Sequence, residues 1–268
     1  MTEEQYIQAL THNPHSIRNI PNPTEAMQLA AVSQNGMLLQ YIKDPTQAVV
    51  EKALEMAPRA LQFVANHSEE LLIALVNKDW AVLEFIEEPT LDIIKLALAQ
   101  SGWAIRYIKE SSESLQIEAV QETYEAIQFI PNPSEAVQMA AVEQNYLALR
   151  YIANPTLNVL RLAVRQNPQA IRQITKLEVS VVLDLFRTSS LILGYVPQQL
   201  GISVDDIKRI LEEIVSNPNI DERYMRELVR NKSIGGRQSS WPIDVLTLID
   251  TVGSDKAKRI AIDEWLLY

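Results

Sequence analysis

A 22-residue period runs without insertion from Thr2 to about Val196. Asn22-Pro23-Thr24 returns as Asp44-Pro45-Thr46, Glu88-Pro89-Thr90, Asn132-Pro133-Ser134 and Asn154-Pro155-Thr156. Asn66-His67-Ser68 and Glu110-Ser111-Ser112 fill the missing beats. A second landmark keeps the same register as an apolar box: Leu38-Leu39-Gln40-Tyr41-Ile42, Ala60-Leu61-Gln62-Phe63-Val64, Val82-Leu83-Glu84-Phe85-Ile86 and onward to Ala148-Leu149-Arg150-Tyr151-Ile152. Weaker copies stand at Ile17, Ile171 and Leu193, which brings the number of units to about nine. A period of this length marks stacked supersecondary units, each unable to bury its apolar face alone.

Each unit reads as two short helices. The first opens at the Asn/Asp-Pro-Thr/Ser step, with Asn or Asp as N-cap and Pro at the first helical position. Glu25, Gln47, Glu69, Glu113 and Glu135 stand three residues after that cap, the spacing of a capping box. The column at Ala9, Ala31, Ala53, Ala97, Ala119, Ala141 and Ala163 calls for close helix–helix approach. The second helix opens at Asn13, Asn35, Asp79, Ser101, Thr123, Asn145 and Asn167, with Pro14, Pro58 or Pro168 following in three units. Leu39 and Ile42 then point inward, three residues apart on one face. The expected fold is all-α: an α-solenoid over 1–196, followed by a small helical domain over 197–268. That second segment begins with an amphipathic helix from Ser203 carrying Ile207, Ile210, Leu211 and Ile214. Further helices are expected at about 221–230, 242–251 and 254–267, with a loop over 232–242 that holds Gly235-Gly236-Arg237.

The repeat signature resembles the DUF4116 family of short helical repeats of bacteria and phages. Two stretches carry the likeness. One is Leu29-Ala30-Ala31-Val32-Ser33-Gln34-Asn35-Gly36 with Leu39-Gln40-Tyr41; the other is Met139-Ala140-Ala141-Val142-Glu143-Gln144-Asn145-Tyr146 with Leu149-Arg150-Tyr151. The resemblance covers roughly 2–196 and implies helical repeat architecture in a bacterial or phage setting. It supplies no catalytic motif. The units at 44–65 and 66–87 depart from the Gln-Asn step, with Met56-Ala57 and Lys78-Asp79.

Chemistry is hard to place on this chain. There is no cysteine, which excludes disulfides and thiolate metal sites. His12 and His15 are three apart but have no evident third ligand, so neither a metal nor a cofactor is expected. No phosphate-cradling glycine motif occurs, and the carboxylates follow the repeat instead of forming an acid–base pair. The chain is therefore expected not to be an enzyme. Its net charge of −10 opposes encounter with nucleic acid. No apolar run reaches the length of a membrane span, and the N-terminus lacks a signal-peptide core, so a cytoplasmic home is expected, the host's if the carrier is a phage.

Three features vary between units. Trp80, Tyr124 and Tyr146 share the column of Gly36, and Trp103 lies one place further on. Aromatic anchors favour a protein interface, whereas local packing over the neighbouring turn is the plainer alternative. Arg150, Arg161, Arg165 and Arg172 lie in a stretch without Asp or Glu, which Arg187 extends. Arginine suits carboxylate or phosphate, and the cluster is the alternative site, for a nucleotide, another small anion or nucleic acid. Pairing with C-terminal acids is its plainer explanation. From Glu51 to Glu143 stand 16 Asp/Glu against 6 Lys/Arg, a surface for a basic partner or simply solubility charge. The leading expectation is a protein-binding repeat scaffold. The resemblance adds a phage-encoded adaptor or inhibitor of a host or defence protein.

Overall fold

The computed structural model describes residues 1–65, 67–235 and 239–266. Among them the chain is an all-α helical repeat protein, with one isolated bridge between Ile234 and Trp241. It divides into two compact units, Met1–Phe129 and Ile130–Tyr268.

The first unit holds α1 (Glu3–His12), α2 (Glu25–Gln34), α3 (Gln47–Met56), α4 (Glu69–Lys78), α5 (Leu91–Gln100) and α6 (Glu113–Glu122). Each is followed by a six-residue 3-10 helix, such as Gly36–Tyr41, Trp80–Phe85 or Gly102–Tyr107. The second element of the repeat is thus wound more tightly than an α-helix. Its backbone bonds run three residues back, as in Leu38 N–H to Asn35 O and Ile42 N–H to Leu39 O, both 3.0 Å. Three residues per turn eclipses Leu39 and Ile42 on one face, and both are buried. Isolated 3-10 runs of this length are uncommon; packing between neighbouring repeats sustains them here. Five of the expected caps hold: Asn35 Oδ1 accepts from Met37 N–H at 3.0 Å, and Asp79, Ser101, Asn145 and Asn167 do the same two residues on, whereas Asn13 opens its helix without a side-chain cap bond.

The start of the first helix differs from expectation. The cap is the Thr or Ser of the motif, not its Asn or Asp: Thr24, Thr46, Ser68, Thr90 and Ser112 each accept from the backbone three residues on. Proline precedes the cap at Thr24, Thr46 and Thr90, and Asp44 sits before Pro45 at φ +52°, a conformation that Asp tolerates better than most residues. The motif is therefore a turn that ends in a cap. It follows that Glu25 and its equivalents are first-turn residues and close no capping box; Thr2 with Gln5 does. The glutamates reach across repeats instead. Glu25 accepts from the Thr46 hydroxyl at 2.6 Å and Glu69 from Thr90 at 2.9 Å, so one hydroxyl caps its own helix and ties it to the preceding one. The alanine column behaves as read: Ala31, Ala53, Ala97 and Ala119 have no exposed surface, and a side chain at Gly102 would meet Ala119 O at 2.0 Å.

The second unit continues the pattern with α7 (Glu135–Gln144), α8 (Leu157–Gln166) and α9 (Val179–Phe186). It then changes to α10 (Val204–Ser216), α11 (Glu222–Arg230), α12 (Val245–Val252) and α13 (Asp255–Trp265). Ser203, Asp221, Asp244 and Ser254 cap these four. The boundary expected between residues 196 and 197, where the period fades, lies inside this unit. α11 packs against the last repeat: Phe186 meets Tyr224 edge-on at 6.4 Å, and the buried Asn231 amide donates to Ser190 O at 2.8 Å. The Gly236-Arg237 part of the expected loop motif lies outside the described residues.

Glu264 on α13 is buried beneath two guanidinium groups of α11, Arg230 and Arg226, the latter at 2.8 Å. Hydrogen bonds from Arg230 first, then from Arg226, hold its carboxyl below the usual glutamate range despite burial. A depressed folded pKa stabilises above the unfolded value of about 4.3, and that contribution is lost as pH falls through the lowered one. Melting temperature should therefore drop more steeply below about pH 4.3 in the native chain than in Glu264→Gln. Parallel slopes in a pH series of thermal melts would remove Glu264 from the acid transition.

Candidate protein-binding surface

The residues expected to bind a partner sit at the first turns of the 3-10 helices. Trp80 is half-buried, and its ring lies 6.2 Å from that of Tyr107 in the next repeat. Trp103 is 39% exposed and meets Phe129 of the next repeat edge-on at 6.0 Å. Both tryptophans therefore pack on a neighbouring ring, and Trp103 still shows a large face to solvent. Tyr124 is half-buried in the first unit, and Tyr146 half-buried in the second.

The rings that receive these tryptophans were not singled out in the sequence. They are the fourth residue of the apolar box: Tyr41, Phe63, Phe85, Tyr107 and Phe129 in the first unit, Tyr151 in the second. The box as a whole reads as core, yet Tyr41 is 43% exposed, Phe63 36% and Tyr151 39%. Leu39 and Ile42, three apart, share the inward face, while Tyr41 stays exposed although Leu38, three residues before it, is buried. The available signal was chemical: position 41 is aromatic where position 42 is Ile or Val. In the first unit this forms a register of rings, one per repeat, on which Trp80 and Trp103 lean.

The arginine cluster is largely committed within the second unit. Arg161 makes a bidentate pair with Asp184, both contacts 2.8 Å, and that hydrogen bonding raises its pKa further. Arg187 bonds Glu213 at 2.8 Å and lowers that carboxyl. Arg165 stands 3.7 Å from Asp221, Arg150 donates to Gln173 at 2.9 Å, and Arg172 lies 5.0 Å above the Tyr195 ring. Asp221 and Glu213 belong to the C-terminal helices, the pairing that sequence alone left as one of two explanations.

The acidic stretch is less committed. Glu55 pairs with Lys52 at 2.8 Å, which lowers its pKa. Glu84, Glu87 and Glu110 have no hydrogen-bond or ion-pair partner among the described residues. They line a cleft of about 470 Å³ together with Phe85 and Tyr107. Among the described residues no group of three His, Cys, Asp or Glu is placed to hold a metal ion, and no helix is long and apolar enough to cross a membrane. Comparison with family models, with curated proteins and with solved structures finds no match to this chain.

Proposed function

We propose that this protein is a non-catalytic scaffold that binds another protein across the ring register of its repeats. The observation that carries the reading is the exposure of Tyr41, Phe63 and Trp103, which stand at or beyond a third of their full surface while Leu38, Leu39, Ala60 and Leu61 of the same boxes are buried. Aromatic residues are enriched as interface anchors because each brings a large, stiff contact area. The resemblance to DUF4116 repeats adds a setting: a phage-encoded adaptor or inhibitor acting on a host or defence protein in the cytoplasm. The arginine cluster carries no second reading, since Arg161, Arg165 and Arg187 already face carboxylates.

The test is affinity capture from a bacterial lysate, with mass spectrometry of the retained protein. Alanine at Trp80, Trp103, Tyr124 and Tyr146, and in a second variant at Tyr41 and Phe63, should remove the dominant captured protein while leaving the far-ultraviolet helix signal unchanged. An anchor of this kind is worth about 2 kcal/mol or more, roughly a thirtyfold loss of affinity. Equal capture by native chain and both variants would end the ring-register reading.

A further inference from the structure

The repeats contain their own example of what settles between two register rings. Arg106 places its guanidinium carbon 5.3 Å from the centre of the Tyr107 ring and 4.9 Å from that of Phe129, the ring of its own repeat and the ring of the next. Arg172, two repeats beyond Phe129, lies over a single ring, Tyr195 of the next repeat, at 5.0 Å, since its own repeat carries Gln173 at the ring position. These distances fall within cation–π range. One repeat before Arg106, the equivalent residue is Glu84, and the equivalent rings are Phe85 and Tyr107. Among the described residues no arginine or lysine lies over the Phe85 ring, while Tyr107 already carries Arg106. Glu84, Glu87 and Glu110 line the cleft there, against one ammonium, Lys109.

We propose that this cleft receives an arginine or lysine side chain from a basic segment of the partner protein. The proposal deepens the scaffold reading and rests on it. Two features of the cleft select the same occupant. The ring faces attract a cation, as they do for Arg106. The three unpaired carboxylates supply charge complementarity that the Tyr107–Phe129 pair meets with its own arginine. A neutral or acidic segment would leave those carboxylates to be desolvated without compensation.

The experiment is calorimetric titration of the full chain with a hexaarginine peptide, using hexacitrulline, which has nearly the same shape without the charge, as control. Hexaarginine is expected to bind and hexacitrulline not. Glu84→Arg should weaken hexaarginine binding at least tenfold, because the new side chain settles between Phe85 and Tyr107 as Arg106 does between its rings. Its melting temperature should equal or exceed that of the native chain, which shows that the fold is intact. Glu118→Arg makes the same charge change on α6, outside the cleft, and should shift affinity less than threefold. Equal weakening by the two variants, equal binding of the two peptides, or no hexaarginine binding at all would overturn the proposal. Loss of partner capture in the ring variants alongside a failed titration would leave the scaffold reading standing and remove the basic segment. Unchanged capture in those variants would remove the scaffold reading itself.

Discussion

Phe186→Ala should cost about 3–5 kcal/mol of unfolding free energy, the range for deleting a buried aromatic ring. Phe186 has no exposed surface and closes α9 at the point where the repeat pattern breaks. Earlier units carry Val or Leu at this column, as at Val32, Val120 and Leu98. The larger ring is needed because its neighbour is no longer another repeat: it meets Tyr224 of α11 edge-on at 6.4 Å. An edge-to-face pair adds about 0.5–1.5 kcal/mol beyond the area it buries. Phe186→Val, which restores the repeat consensus, should therefore also destabilise, though by less than alanine. Urea unfolding at 25 °C checks both. A loss under about 1 kcal/mol for the alanine variant would mean that the last repeat does not depend on its contact with the C-terminal helices.

Leu75→Ala and Ala119→Leu should both destabilise, although each installs the residue that another repeat carries at that column. Leu75 replaces the usual alanine and is buried; Ala119 has no exposed surface at all. Removing the leucine leaves a cavity worth about 2–5 kcal/mol. Inserting one at 119 adds three carbon atoms of side chain beside a neighbour whose backbone already touches this turn, at about 1–3 kcal/mol. The close approach is visible at Gly102, where a Cβ would come within 2.0 Å of Ala119 O. Paired urea melts of the two variants measure this. Neutrality of either would show that units sharing a register are interchangeable. Costs in both would show that each repeat has settled its own packing with its neighbours.

The readings that succeeded and those that failed separate along the same line. The 22-residue period, the all-helical class, the small-residue column and the caps at Asn35, Asp79, Ser101, Asn145 and Asn167 were legible, because each depends on residues close in sequence. The ends of α10 to α13 were legible within a few residues for the same reason. The hydroxyl cap was placed two residues early, at Asn22 instead of Thr24, because Asn, Pro and Thr each make a good helix start and sequence does not rank them. The hydroxyl takes the cap at Thr24, Thr90 and Thr156, where the residue two before it has no positive φ, as it does at Thr46, where Asp44 has one.

Sequence by itself determined which positions are equivalent, since a period is a statement about spacing alone. Tertiary structure decided what each equivalent position does. It wound the second helix as 3-10, and it left Tyr41, Phe63 and Tyr151 exposed while Leu39 and Ile42 stayed inward. It brought Asp184, Glu213 and Asp221 to the arginines, partners up to 56 residues away along the chain. It set Arg106 between two rings and left the preceding ring pair lined with carboxylates. The physical reason is the same in each case: exposure, ion pairing and ring stacking depend on distances between repeats, and no periodicity along one chain encodes those distances.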